Sequence, residues 1–465
     1  MQKEKSAAQL LQEKLTYQPK HAAIADPAMV PQAMEFAKGY MAFLDKAKTE
    51  RAFTVQAIAM LEQAGYTPFT PGTQYAAGEK VYLNNRGKSV IAATIGTRPV
   101  KDGVRIIASH IDSPRLDLKP NPLYEDAELA LFKTHYYGGI RKYQWTAIPL
   151  SMHGVVVKKG GETVEISIGE KAGDPVFVIS DLLPHLSATQ NQRTLPDGIR
   201  GEELNVICGG LPFEDDEIKN GVKLRTLQIL NEQFGITEGD FHRAEIEFVP
   251  AFKAADVGFD RSLVGAYGQD DRICAYPSLM AEIETKTPTF TSVSIFTDKE
   301  EIGSSGNTGL RGAYLANFIT YLAEMQGANV KEVMANSKCL SADVNAGYDP
   351  TFPDVMDPRN SAYLNHGAVL TKYTGSRGKS SSNDASAEYV SFVADIFDEA
   401  GVLWQVGELG KVDQGGGGTV AAMVAELDID TVDIGAPILS MHAPYEISSK
   451  IDTYMLYKGF LAFLA

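Results

Sequence analysis

Cysteine is scarce in this sequence. The three residues, Cys208, Cys274 and Cys339, are odd in number and widely spaced, so they supply neither a disulfide framework nor a Cys-x-x-Cys metal site. A reducing cytoplasm is the expected compartment. No stretch approaches the roughly 20 apolar residues that cross a bilayer. The start of the chain, Met-Gln-Lys-Glu-Lys-Ser-Ala-Ala-Gln-Leu-Leu, is amphipathic rather than apolar, and neither a signal peptide nor a membrane anchor is expected. Basic residues are outnumbered 43 to 59 by acidic ones, for a net charge of −16, which disfavours nucleic acid or an anionic membrane as a partner. No internal repeat is evident. Disorder is also excluded, because 44% of the residues are hydrophobic and 22% charged, the balance of a chain that buries a core.

At 465 residues the chain has room for two or three domains. Residues 6–15 and 28–65 read as helices, the second with Met34, Ala37, Met41 and Leu44 at helical spacing and a break at 46–51. A hairpin follows, with short strands at 80–83 and 89–95 around Asn84-Asn85-Arg86-Gly87, a turn sequence that tolerates positive φ. Residues 104–108 then form a strand that runs into Ser109-His110-Ile111-Asp112-Ser113-Pro114.

From about residue 119 to 257 the pattern changes to short strands with glycine turns and little helix, which predicts an inserted β-rich domain. Afterwards strands and helices alternate: a helix near 273–285, a strand ending at Glu300, a helix near 309–326, strands at 332–342, 366–373, 402–406 and 430–436, and helices at 384–400, 416–427 and 450–464. The expected architecture is α/β, a mostly parallel sheet covered by helices, with residues 1–118 and 259–465 making one catalytic domain interrupted by 119–258. Ligands of such sheets bind beyond the carboxyl ends of the strands.

The chain is organised around residues 289–303, a β-branched and aromatic run that breaks into Asp298-Lys-Glu-Glu-Ile-Gly303. Taken alone, Glu300-Glu301 is a solvated acidic turn. Beside it, however, His110, Asp270, Asp343 and His442 also stand at predicted strand ends. Two imidazoles and three carboxylates, with Glu301 as the third, meet the donor preferences of zinc, and one shared carboxylate would let five ligands hold two ions. Asp112, two residues past His110, is placed to accept from the ring nitrogen that faces away from the metal.

The motifs His110-Ile-Asp-Ser-Pro-Arg, Asp298-Lys-Glu-Glu-Ile-Gly-Ser, Ser341-Ala-Asp-Val and Gly435-Ala-Pro-Ile-Leu-Ser-Met-His, in this order, resemble those of the aspartyl aminopeptidase family of di-zinc metallopeptidases. The resemblance covers nearly the whole chain. It implies a zinc-exopeptidase-like catalytic domain and two Zn2+ per subunit. Asp270 would bridge them, His110 and Asp343 would complete one site, and Glu301 and His442 the other. Co2+ and Mn2+ suit the same donors. Glu300 then becomes the general base, and His366 a stabiliser of the tetrahedral oxyanion in its own or a neighbouring subunit's site. Relatives also pair through the inserted domain and assemble into dodecamers, so a cytoplasmic homo-oligomer acting on peptides is expected, with the insert as dimer contact or lid and His135 or His153 reaching a neighbour's pocket.

The chain departs from the family at several points. Gln269-Asp270-Asp271-Arg272 leaves Asp271 as a rival bridge, and Val412-Asp-Gln-Gly-Gly-Gly-Gly-Thr419 differs from the corresponding loop. An acidic N-terminal side chain would need a cation, for which Lys372, Arg377 and Lys379 are candidates beside the plainer reading of a basic surface loop. Two alternatives stay open: another di-metal amide hydrolase, such as a deacylase or carboxypeptidase, and a catalytically silent assembly protein.

Overall fold

The computed structural model describes residues 5–17, 19–215 and 217–465. Its main sheet has nine strands, in the spatial order Thr67–Pro68, Lys80–Asn85, Ser89–Thr94, Ser292–Thr297, Arg105–His110, Lys338–Ala342, Asp430–Gly435, Ala368–Thr371 and Trp404–Val406. The four central strands, from 292–297 to 430–435, run parallel. Strands 105–110 and 292–297 are buried at every position, as expected where helices cover both faces and no polar alternation is needed.

Two apolar layers flank this sheet. On one face Phe53, Phe296, Phe397 and Phe460 join helices Val30–Leu44, Glu50–Gln63, Gln269–Glu284, Ala387–Glu399 and Lys450–Leu464. On the other, Phe318, Leu322 and Val424 come from helices Tyr314–Met325 and Ala421–Ala425. The fold is α/β. Sequence periodicity located most of these elements, but residues 332–336 are helical, inside Val330–Asn336, where a strand was expected, and strand begins only at Lys338. Asn329 caps that helix by accepting from the Lys331 N–H, a local bond that outweighs the β propensity of its valines. The helix expected at 416–427 shortens to Ala421–Ala425, because Gly415–Gly418 loses too much backbone entropy in a helix.

Between strand 105–110 and helix 269–284 the chain builds a separate antiparallel sheet of six strands: Thr163–Ile168, Leu150–Val157, Ala244–Pro250, Arg115–Asp126, Leu129–Tyr137 and Asn205–Gly209. It has its own core, in which Trp145, Phe132 and Phe248 are buried. Contrary to the expectation of little helix, Gly221–Phe234 is a 14-residue helix. Val222, Thr226 and Leu230 recur every four residues on its buried face, and Gly235 at φ 64° ends it. A smaller five-stranded sheet comprises Ala255–Val257, Leu263–Ala266, Glu446–Ser449, Pro437–Leu439 and Asn345–Ala346; four of its strands, all but the first, lie within five residues of Asp270, Asp343 or His442 in the chain.

Candidate metal centre

The parallel strands deliver their carboxyl ends to one edge. His110 is the last residue of its strand, in register with Thr297 on the next. Glu300 and Glu301 lie in the short turn three residues beyond Thr297, and Asp343 follows strand 338–342 directly. Gly435 permits this last arrangement, since a Cβ there would stand 1.7 Å from the Asp343 carbonyl oxygen. Asp270 opens its helix with non-helical φ and ψ, which turns its side chain out of the helical row. Gly268, at φ 69°, has no room for a side chain against the Arg272 guanidinium.

Arg272 is fully buried and draws these segments together. Its Nη1 donates to Ser113 Oγ at 2.6 Å and to the Gly268 carbonyl at 3.0 Å, and its Nη2 to the carbonyls of Lys48 and Ile111 at 2.9 and 3.1 Å. Ser113 in turn donates to the Asp270 carbonyl at 2.7 Å. The loop after His110 and the start of the Asp270 helix are thereby fixed to each other. A charge this deep is sustained only by such bonds.

Two groups of donors result. His110, Asp270 and Asp343 form one, and Asp270, Glu301 and His442 the other, with ligand atoms of each group within 4.8 Å of one another. The two oxygens of Asp270 divide between them: Oδ1 is 3.0 Å from His110 Nε2, and Oδ2 is 3.2 Å from His442 Nε2. Asp343 Oδ1 stands 3.8 Å from the first imidazole, and Glu301 Oε1 3.5 Å from the second. Asp271 belongs to neither group; it is fully buried, and both its carboxylate oxygens lack hydrogen-bond partners.

The electrostatics show how poorly these carboxylates suit a site without cations. Burial pushes the carboxyls of Glu301 and Asp343 well above their usual range. Glu300 is pushed up to about 7, first by burial, against which His110 acts, and then by the charges of Asp112 and Asp270. Burial would lower His442, but the hydrogen bond to Asp270 and the charge of Glu301 raise it to about 10. Glu301 Oε1 is buried without a hydrogen-bond partner. Oxygen and imidazole donors converging in two groups on a shared carboxylate, one oxygen orphaned, fit a pair of zinc ions.

The remaining ring nitrogens are held by backbone. His110 Nδ1 donates to the Asp112 carbonyl at 3.0 Å, and His442 Nδ1 to the Gly139 carbonyl at 2.8 Å, which leaves Nε2 of each ring free as a ligand. The Asp112 carboxylate also lies beside this ring, 3.4 Å from His110 Nδ1, farther than the Asp112 carbonyl. It accepts in addition the backbone N–H groups of Glu300 and Glu301, both at 3.1 Å, and the Tyr137 hydroxyl at 2.8 Å. Glu446 does the same across the site. Its carboxylate accepts from the N–H groups of Gln269 at 2.6 Å, Asp270 at 3.2 Å and His442 at 2.8 Å. Nothing in the sequence pattern singled out Glu446 or Tyr137, since a lone Glu after a His and a Tyr in a β strand carry no signature.

The centre opens into a cavity of about 650 Å³, whose wall includes Glu300, Arg311, Thr371, Thr374 and Met441. The cations considered for an acidic side chain are not on that wall. Lys372 and Lys379 pair with Asp384 at 2.9 and 3.3 Å, and Arg377 lines a separate small depression. Arg311, unremarked in the sequence, faces the cavity instead. His366 is also off this wall; its ring stands 5.8 Å from that of His21 and 5.9 Å from that of Tyr363, and its Nδ1 is 3.0 Å from the Leu364 carbonyl. In the second sheet His135 stacks on Tyr136, and His153 Nε2 lies 3.0 Å from Glu170.

Comparison with known proteins places this arrangement. The family described as aminopeptidase I zinc metalloprotease (M18) matches residues 43–464. A probable M18 family aminopeptidase 1 of Clostridium acetobutylicum is 49% identical over 430 residues, covering 91% of this chain and 92% of that protein. The crystal structure of an M18 aminopeptidase from Thermotoga maritima superposes with a TM-score of 0.93 at 46% identity, covering 97% and 99% of the two chains. A structure of the S. cerevisiae mApe1 dodecamer shares the fold at a TM-score of 0.74 and 20% identity, covering 92% of this chain and 96% of that one.

Proposed function

This chain belongs to the M18 family of zinc metalloproteases and is an aminopeptidase, and from that premise we propose that it removes residues from peptide N-termini at a two-zinc centre bridged by Asp270. The observation that carries this reading is the division of the Asp270 carboxylate, one oxygen toward His110 and the other toward His442. His110 and Asp343 would complete one ion's protein ligands, and Glu301 and His442 the other's. Such ions, when bound, lower the pKa of a coordinated water and polarise the scissile carbonyl.

Glu300 lies in the same cavity but in neither ligand group, which leaves its carboxylate free for proton transfer. It takes the proton of the attacking water and returns it to the departing amine. Asp112 holds the backbone of Glu300 and Glu301, so base and ligand keep a fixed separation. An acidic N-terminal residue, if accepted, is met by Arg311 rather than by Lys372, Arg377 or Lys379.

The proposal extends to the assembly. The protein forms a homo-oligomer, a dodecamer built from dimers, with the 119–258 insert as the dimer contact and lid. The mApe1 dodecamer and the exposed Leu182, Leu183, Leu186 and Leu195 of the insert favour it. His366, His135 or His153 would then serve a neighbouring subunit. Three free cysteines favour the cytoplasm, and among the described residues no helix is long and apolar enough to cross a membrane.

The decisive experiment is a panel of aminoacyl substrates, each with a free or an N-acetylated α-amine, run beside zinc analysis of the purified protein. Hydrolysis confined to free-amine substrates, with two zinc ions per subunit, is expected. Cleavage of the acetylated set, or release of C-terminal residues, would sink the proposal.

A further inference from the structure

We propose that Glu446 is a positioning residue that sets the geometry of the Glu301 and His442 half of the metal centre, acting through the backbone of Asp270 and His442. The inference rests on the two-ion reading above and goes beyond its ligands.

Glu446 begins a strand of the small sheet and is 1% exposed. It does not line the cavity and belongs to neither ligand group, so substrate and ions do not reach it. Its two oxygens are nevertheless committed to the site. Oε2 accepts from Gln269 N–H at 2.6 Å and Asp270 N–H at 3.2 Å, and Oε1 accepts from His442 N–H at 2.8 Å. One rigid carboxylate thus ties the segment of the shared ligand to the segment of a ligand that belongs to a single ion.

Both segments use such a tie. Asp270 leaves the helical φ and ψ at the head of its helix for extended backbone, and His442 sits at φ 66° just after Ser440 at φ 59°, a left-handed conformation that L-residues rarely adopt unless their surroundings hold them. Their N–H groups have no helix or ladder acceptor there, and the carboxylate provides one.

The effect is lopsided. Asp270 has a second tether on the His110 side, because Ser113 donates to its carbonyl at 2.7 Å, and Arg272 grips Ser113 and Ile111. His110 itself is held by its strand and by the Asp112 carbonyl. On the other side His442 depends on Glu446 through its N–H and on Gly139 through its ring. Loss of Glu446 therefore releases the His442 half and leaves the His110 half anchored.

The test is a zinc titration of the metal-free full-length protein against a competing chelator. The wild type is expected to bind two ions. In Glu446→Gln, which keeps the shape but turns an N–H donor toward backbone N–H groups, one ion should bind 10- to 100-fold more weakly while the other stays within about threefold. Activity should fall in kcat rather than rise in KM. Glu446→Asp, shorter by one methylene but still charged, should recover the weakened affinity to within about tenfold of the wild type. Unchanged affinity for both ions in Glu446→Gln overturns the inference. Equal weakening of both ions with a lower unfolding temperature also overturns it, because that is the signature of a fold defect alone. If Glu446→Gln does not fold, Glu446→Asp decides: weakening of one ion by severalfold supports the inference and none refutes it. A wild type that binds one ion, or ignores free-amine substrates, refutes the two-ion reading itself and is seen before any variant is made.

Discussion

Replacing Glu300 by Gln separates base from ligand more sharply than any other single change at this site. The two residues Glu300 and Glu301 are adjacent and share the same backbone clamp from Asp112, yet only Glu301 lies within the donor groups. Glutamine matches glutamate in size, and the Glu300 N–H that Asp112 accepts is a backbone group, so Glu300→Gln leaves the clamp intact. What disappears is the capacity to take a proton. General-base catalysis contributes on the order of 10²- to 10⁴-fold, so kcat should drop by that factor, equivalent to about 3–6 kcal/mol of transition-state stabilisation at roughly 1.4 kcal/mol per decade. Zinc content and KM for a free-amine peptide should stay within about threefold. The assay is steady-state kinetics on metal-replete protein, with zinc measured on the same preparation. Two results would refute the reasoning: a kcat within threefold of the wild type, which removes Glu300 from the chemistry, or loss of an ion, which makes it a ligand. Glu301→Gln is the control, and it should lose affinity for one ion.

Further outcomes follow from the same geometry. Asp270→Ala removes a donor from both groups and should cost both ions; retention of two tightly bound zinc ions by elemental analysis would move the bridge elsewhere. Arg311→Ala should lower kcat/KM for aspartyl substrates relative to leucyl ones, and an unchanged ratio would remove Arg311 from substrate recognition. Burial acts to raise the Glu245 carboxyl, but hydrogen bonds from Arg51 and Lys88 outweigh it and hold it at about 2. Because the folded-state value lies below the unfolded one near 4.3, this group adds stability that is complete above that pH and fades as pH falls toward 2. Glu245→Gln should therefore lose less stability between pH 5 and pH 3 than the wild type, measured by urea midpoint, and identical pH slopes would contradict the assignment. Light scattering at micromolar concentration should show a closed oligomer; a fully active monomer would remove the assembly.

The sequence made the parallel sheet legible because strands buried on both faces read as apolar and β-branched runs, such as Ile106-Ile107-Ala108 and Val293-Ser294-Ile295-Phe296. Residues directly beyond those runs were legible for the same reason, since a His or an acid that ends an apolar strand stands out. The supports around them were not. Glu446 meets the Asp270 N–H across 176 residues, Arg272 the Ile111 carbonyl across 161 and Tyr137 the Asp112 carboxylate across 25, and no local spacing encodes such bonds. The helix at 221–234 was missed because Gly221 and the polar Lys-Leu-Arg-Thr run hid a narrow apolar stripe. Asp112 stands beside the expected histidine, its carboxylate 3.4 Å from Nδ1, but its hold on the Glu300 and Glu301 N–H groups was not legible, because a motif fixes neighbours and leaves open which atoms meet.

The insertion between His110 and Asp270 looks from its sequence like an appendage to a finished catalytic unit, yet two of its contacts argue otherwise. Tyr137, the last residue of strand Leu129–Tyr137, donates to Asp112 Oδ2 at 2.8 Å, and Gly139, two residues on, accepts from His442 Nδ1 at 2.8 Å. The first bond supports the carboxylate that holds the turn of Glu300 and Glu301. The second selects the tautomer of His442 and aims its Nε2 toward Asp270 and Glu301. Arg115, where the chain leaves the main sheet, stacks on the Tyr137 ring at 3.9 Å and pairs with Glu50 of the catalytic core at 3.2 Å. The insert therefore reaches the site at a hydroxyl and a carbonyl, both of which orient groups of the proposed metal centre. Removing it would leave the five proposed ligands in the chain but free the His442 ring and loosen the Asp112 clamp, so the proposed centre and the insert behave as one unit.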